Sequence, residues 1–255
     1  MRLLKLQKLI KVSPRGSVLA FSLLQVLLRF GILRLKRGKE LSLRDRADWL
    51  HEACAIIARR LSMSVSASGP TPNQGLLVSN HLSYLDILLY SALMPCIFVS
   101  KSEVLQWPVF GILARCGGTI FVERGRAQSV HEPSREIAEA LRLGIPVVLF
   151  PEGTSTDGGR VLPFRSAFFE PAISNQASIY PAAIGYWVRD GAEADLCYYG
   201  EVTFFPHLLS VLGQNGVKGM IEFGNEVYGC DDRKTAAVAA WKSVVALRER
   251  MAVAV

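Results

Sequence analysis

The chain has 255 residues, half of them hydrophobic, with a mean hydropathy of +0.26, a net charge of +7 and a pI near 9.3. That much apolar residue supports a substantial core and excludes disorder as a global description; the hydropathy is high for a freely soluble enzyme. Residues 1–46 hold 12 of the 29 Lys and Arg but only two acids, a net of +10, and the remaining 209 residues hold 17 bases and 20 acids, a net of −3. The basicity therefore belongs to an N-terminal segment. Its bases alternate with Leu, Ile, Val and Phe, which points to an anionic membrane surface as partner and not to nucleic acid.

In chain order, residues 1–12 read MRLLKLQKLIKV, and Ser13-Pro14-Arg15-Gly16 is expected to break the chain. An apolar stretch follows over 17–33, but its uncharged part, 16–28, is 13 residues long, short of the roughly 20 that a spanning helix needs. As a helix it would carry one narrow polar stripe of Ser22, Gln25, Arg29 and Lys36, a pattern that fits a helix embedded in one leaflet. A secretory signal is disfavoured because no small-x-small site follows; the basic run over 34–39 follows instead, and basic flanks anchor a segment at the cytoplasmic face. Trp49, Leu50, Ala53, Ile56, Ile57 and Leu61 recur at helical spacing, so a second amphipathic helix is expected over 42–61.

From Ser62 onward, short apolar strands alternate with helical stretches. Strands are expected over 75–79, 96–100, 119–122, 147–150, 178–183 and 219–223, and helices over 84–93, 132–143, 166–175 and 235–252. The alternation predicts a layered α/β fold with helices on a central sheet. The expected organisation is a membrane-associating helical segment, 1–61, and an α/β domain, 62–255. The five cysteines lie far apart with no C-x-x-C, so neither a disulfide framework nor a zinc site is expected.

Three segments place polar, reactive or Gly-containing sequence directly after an apolar strand: 80–86, 123–125 and 151–159. In open α/β sheets ligands gather at the carboxyl ends of strands, so loops leaving at one end would build one site. In the first segment His81 and Asp86 are five residues apart, about 140° around a regular helix, and they meet only where a strand exit turns into a helix start. Such a pair supplies a base for an alcohol proton and a carboxylate that fixes the tautomer and stabilises the imidazolium. His51, His131 and His207 lack such company and are read as structural.

Asn80-His81-x4-Asp86 resembles the first signature of the glycerolipid acyltransferases, the family that includes bacterial 1-acylglycerol-3-phosphate acyltransferases. The run from Gly118 to Arg124 is similar to their second signature, Phe150-Pro-Glu-Gly-Thr154 to their third, and 179–183 to a degenerate fourth; Lys101 sits where the family places a lysine. The resemblance spans about residues 75–185. It implies a mixed central sheet tethered by N-terminal helices, and acyl transfer from acyl-CoA or acyl carrier protein to a lysolipid hydroxyl without a metal or cofactor. His81 and Asp86 would be catalytic, with Asn80, Lys101, Arg124, Glu152, Gly153 and Thr154 binding substrate.

A guanidinium at Arg124 suits a phosphate or carboxylate bidentately, and Glu152 suits an acceptor hydroxyl or Arg124 itself. Many lysophosphatidate enzymes continue Glu-Gly-Thr with Arg, whereas here Ser155 stands, with Arg160 and Arg165 downstream to replace the charge. The expected acceptor is lysophosphatidate, giving phosphatidate; lyso-ornithine lipid is the alternative, since its acyltransferases resemble the Thr-Ser-Thr-Asp-Gly variant. The rival classes fit less well. An esterase would need a G-x-S-x-G elbow, which is absent, and a non-catalytic membrane module would leave the three polar loops unexplained.

Overall fold

The computed structural model describes residues 2–38, 40–123 and 131–253. Seven strands form one mixed sheet: β1 (Ser64–Ser68), β2 (Leu76–Ser79), β3 (Ile97–Lys101), β4 (Ile120–Val122), β5 (Val147–Leu149), β6 (Ile179–Trp187) and β7 (Lys218–Phe223), in the order β1-β7-β6-β2-β5-β3-β4. The strands from β6 to β4 in that order are parallel, and β7 runs antiparallel to β6. The loops after β2, β4 and β5 therefore leave the sheet at one end.

Eight α-helices accompany the sheet among the described residues: α1 (Arg2–Arg37), α2 (Leu43–Arg60), α3 (Leu85–Leu93), α4 (Phe110–Cys116), α5 (His131–Arg142), α6 (Glu170–Ser174), α7 (Phe204–Gly213) and α8 (Arg233–Val253). The central strands are buried on both faces, so they read as unbroken apolar runs. Leu77, Phe98 and Val148 face α1, α2, α3 and α7, whereas Leu76, Val78, Ile97, Val147 and Leu149 face α5, α6 and α8. The two expected units, 1–61 and 62–255, share the first of these clusters, because Leu19, Val26, Trp49 and Leu50 pack in it with Leu82 and Phe98.

At the N-terminus the expected break over 13–16 does not occur. α1 runs through Pro14 as one helix; proline's fixed φ suits a helix, and the ring forfeits one backbone bond. The segment Pro14–Arg37 is long and apolar enough to cross a membrane by length and composition, longer than the 13 uncharged residues indicate because Arg29 is the single charge between Gly16 and Leu33. Its inner face is Leu19, Ser22 and Val26; Phe21, Leu24, Leu28, Ile32 and Leu35 point outward, Leu35 at 82% exposure. The expected polar stripe is thus divided. Ser22 is buried, donating to the Val18 carbonyl at 2.7 Å and accepting from Arg60 Nη1 at 3.1 Å, while Arg29 and Lys36 remain exposed.

α2 begins at a capping box: the Ser42 hydroxyl accepts from the Asp45 N–H, and the Asp45 carboxylate accepts from the Ser42 N–H. Trp49 on α2 donates its indole N–H to the Val26 carbonyl at 3.1 Å and meets the edge of Phe30, and Arg15 bonds the Leu212 and Gln214 carbonyls at the end of α7. α1 is in this way fastened to the body at both ends of its apolar stretch. Four of the cysteines are buried and Cys230 is half-buried, all with free thiols.

Candidate active site

β2 ends at Ser79, residues 80–84 turn, and α3 starts at Leu85; this change of direction brings His81 to Asp86. His81 Nδ1 lies 2.7 Å from Asp86 Oδ2. Asp86 is wholly buried and surrounded by donors. Its Oδ2 also accepts the Leu82 N–H at 2.9 Å and the Ser83 N–H at 3.2 Å, and its Oδ1 accepts the Tyr186 hydroxyl. A carboxylate so surrounded acts as acceptor only, which makes Nδ1 the protonated ring nitrogen and leaves the lone pair on Nε2. The ring stacks on Phe150, just past β5, with centroids 4.3 Å apart and planes 15° from parallel, and its side chain is 23% exposed. The imidazole is fixed in plane by an aromatic face and in rotation by a buried anion.

Tyr186 has no local sequence signal. It lies in the second half of β6, beyond the expected end at 183, where the strand leaves β2 and pairs with β7. Burial, together with the neighbouring Asp86, pushes its phenol well above the ordinary tyrosine range, so it is a hydroxyl that donates.

The side chains of Asn80 and Glu152 bond backbone groups around His81. Asn80 is buried, its amide donating to the Ile184 carbonyl at 3.0 Å and accepting the Ile184 N–H at 2.8 Å, so it staples the end of β2 to β6. Both polar ends of the side chain are spent on backbone. Glu152 is also buried: Oε1 accepts the His81 N–H and Oε2 the Leu162 N–H, each at 2.7 Å. Its carboxylate ties the two ends of the loop after β5 to the base, with Thr156 N–H adding a bond to the His81 carbonyl at 2.9 Å.

Burial raises the Glu152 carboxyl to about 7, against the opposing pull of those two backbone bonds and His81. The folded state therefore holds a proton between about pH 4.5 and 7 that the unfolded chain has released, and stability falls as pH rises through that window. Glu152→Gln removes this slope. It also sets an amide N–H₂ against a backbone N–H, leaving a buried donor unmet at a cost of about 1–3 kcal/mol. Thermal midpoints of both proteins in detergent at pH 5 and 7.5 test this; equal slopes in both would refute the role.

Gly153 has φ +73°, and a Cβ there would lie 2.9 Å from the guanidinium carbon of Arg165, so this position needs glycine for its backbone and for the approach of Arg165. Arg165, exposed, brings a cation to the Glu-Gly turn from twelve residues on. Ser155 bonds the Tyr198 carbonyl through its hydroxyl. Thr154 and Arg160 are exposed on the same loop, and Lys101 is exposed at the end of β3. Arg124 lies outside the described residues. His51 Nδ1 lies 2.7 Å from the Ser91 carbonyl oxygen, and His207 Nδ1 lies 2.9 Å from the Tyr84 hydroxyl.

An apolar cavity reaches Tyr84 and Leu85, in the turn and helix start that hold His81 and Asp86. Leu19 and Leu23 of α1, Trp49 and Ile57 of α2, Trp107, and Leu208 of α7 contribute to its walls. α4 and α7 help to enclose it, and neither was foreseen from the sequence. Among the described residues no group of three or more His, Cys, Asp or Glu is placed to hold a metal ion.

The His81–Asp86 pair thus stands close to a cavity whose lining is almost wholly apolar. Residues 63–185 match the family model described as Acyltransferase. Over 241 residues the chain is 35% identical to the lyso-ornithine lipid O-acyltransferase of Brucella abortus, covering 87% of each. It is 31% identical over 212 residues to the 1-acyl-sn-glycerol-3-phosphate acyltransferase of Neisseria gonorrhoeae, covering 80% of this chain and 83% of that one. The fold matches the crystal structure of the 1-acyl-sn-glycerophosphate (LPA) acyltransferase PlsC from Thermotoga maritima with a TM-score of 0.61, covering 94% of this chain and 97% of that one at 18% identity. The chain belongs to the glycerolipid acyltransferase family and is an O-acyltransferase.

Proposed function

We propose that the protein transfers a fatty acyl group from a thioester carrier, acyl-CoA or acyl carrier protein, to the hydroxyl of a lysolipid held at the membrane surface. The observation that carries this reading is the bond from His81 Nδ1 to buried Asp86, which leaves Nε2 as the base. Nε2 takes the hydroxyl proton as the oxygen attacks the thioester carbonyl. The tetrahedral intermediate then expels the carrier thiolate, which recovers the proton from the imidazolium. Asp86 stabilises the imidazolium between the two steps. The apolar cavity suits the acyl chain, and no step requires a metal.

For the acceptor we favour lyso-ornithine lipid. Its amine and carboxylate call for a site of mixed sign, and the loop after β5 exposes Asp157 together with Arg160 and Arg165. Ser155, where many lysophosphatidate enzymes carry arginine, is committed to the Tyr198 carbonyl. The relatives from Brucella abortus and Rhizobium meliloti bear the name lyso-ornithine lipid O-acyltransferase. The second reading, lysophosphatidate, draws on the cations Lys101, Arg160 and Arg165, since burying a phosphate monoester without cations costs several kcal/mol. Specificity constants for both acceptors with one acyl donor decide between them. A preference of tenfold or more, about 1.4 kcal/mol in transition-state binding, selects the acceptor, and a preference for lysophosphatidate overturns the first choice.

We propose attachment at the cytoplasmic face, on the basic flanks of α1; its outward apolar face supports attachment by hydrocarbon burial, either within one leaflet or as a span. The expected result is that the protein stays with membranes through a high-salt wash and is released by detergent. Recovery in the salt supernatant would reduce α1 to an electrostatic arm. Labelling of residue 1 from outside the cell would select the span.

A further inference from the structure

At the end of the sheet opposite His81, α4 finishes at Cys116 just before β4, and the C-terminal part of α1 passes beside it. Between them lies a hollow of about 240 Å³, lined by Phe30 and Arg34 of α1, Glu40, Leu41, Arg46 of α2, and Ile112, Arg115 and Cys116 of α4. Three guanidinium groups and one carboxylate give its lining a net charge of +2.

Two other bases near the end of α1 have structural work: Arg37 pairs with Asp45 at 2.9 Å, and Arg44 donates to the Gly144 carbonyl at 2.7 Å. Arg46 donates to the Leu41, Arg115 and Cys116 carbonyls, which offsets the negative end of α4 and holds its own guanidinium at the hollow. Arg34 and Arg115 are exposed, and neither pairs with a carboxylate among the described residues. The rim carries hydrocarbon, with Ile112 at 56% exposure on one side and the outward Leu28 and Ile32 of α1 nearby in the chain.

We infer that this hollow binds the phosphate headgroup of an anionic membrane phospholipid, at a site separate from the one that turns over substrate. Arg34 and Arg115 supply charge-assisted hydrogen bonds to the phosphate oxygens, Arg46 supplies a fixed positive field, and the lipid's chains lie along Ile112 and the outward face of α1. The phosphates of coenzyme A offer the same chemistry, but its thioester must reach His81 at the far end of the sheet, so the membrane lipid is the source that fits. The inference rests on α1 lying in lipid and does not depend on the acceptor.

Native mass spectrometry of the full chain, released from detergent in the presence of equal amounts of phosphatidylglycerol and phosphatidylcholine, tests it. The wild type should retain phosphatidylglycerol in preference. Arg34→Gln with Arg115→Gln should weaken that retention about tenfold, through loss of charge-assisted bonds, with the thermal midpoint unchanged. Glu40→Gln, which raises the net charge of the lining, should strengthen retention, a change in the opposite direction from any loss of folding. Equal retention of both lipids, or retention unaffected by all three substitutions, would overturn the inference. Displacement of the lipid by added coenzyme A would assign the hollow to the carrier and overturn it also. A wild type that transfers acyl groups but shows no lipid preference defeats this site alone, and a wild type that shows the preference but transfers no acyl group defeats the proposed chemistry alone.

Discussion

His81→Ala is expected to lower turnover by roughly 10²–10⁴-fold, the range typical of general-base catalysis, with the Michaelis constants little changed. The reasoning starts from the hydrogen bond that commits Nδ1 to Asp86 and leaves a single lone pair to receive the acceptor's proton. Alanine deletes that lone pair and the ring that stacks on Phe150. It leaves the His81 N–H on Glu152 and the carbonyl on Thr156, because both bonds are backbone at position 81. The loop architecture therefore survives, and the loss falls on chemistry and not on binding. A purified, folded alanine variant with near-native turnover would remove His81 from the mechanism.

Asp86→Asn is the second large effect, again on the order of 10²–10⁴-fold in turnover. Oδ2 receives three donors, the imidazole and two backbone N–H groups, whereas Oδ1 receives only the Tyr186 hydroxyl. Asparagine can place its oxygen toward the three and its N–H₂ toward Tyr186, whose hydroxyl rotates to accept. The geometry is then kept while the negative charge is lost. What disappears is the stabilisation of the imidazolium formed as the hydroxyl is deprotonated. Tyr186→Phe is the control, since it removes one donor from Asp86 and keeps the charge. An asparagine variant as active as Tyr186→Phe would show that the charge is not what matters. Turnover measured against pH for the three proteins separates the cases.

The strands β2 to β7 and the polar turns after β2 and β5 were legible because buried parallel strands write themselves as short apolar runs and because Asn80, His81, Asp86 and 150–154 are close in sequence. What escaped did so for identifiable reasons. β1 reads Ser-Val-Ser-Ala-Ser, an edge strand whose pairing with β7 is dictated by a partner some 150 residues away. α7 contains Pro206, and its apolar residues extend around most of the helix because it packs on α1 and also exposes Phe205 and Leu209. Tyr186 reaches Asp86 across 100 residues of chain. The framework bonds of Asn80 and Glu152 were not legible either, since both residue types suit ligands equally well. Only the backbone groups opposite them, at Ile184, His81 and Leu162, reveal that they hold the site's framework.

Leu19 and Leu23 of α1 form part of the wall of the apolar cavity that reaches Tyr84 and Leu85. On the proposed reading, the helix that holds the protein at the membrane also helps to enclose the acyl chain. Shortening the chain to begin at α2, the usual route to a soluble fragment, would open that cavity along its length, strip the indole of Trp49 of its acceptor and expose the apolar side of α7. Substitutions on the inward side of α1 should therefore change which chains are used, while those on its outward side should change only where the protein resides.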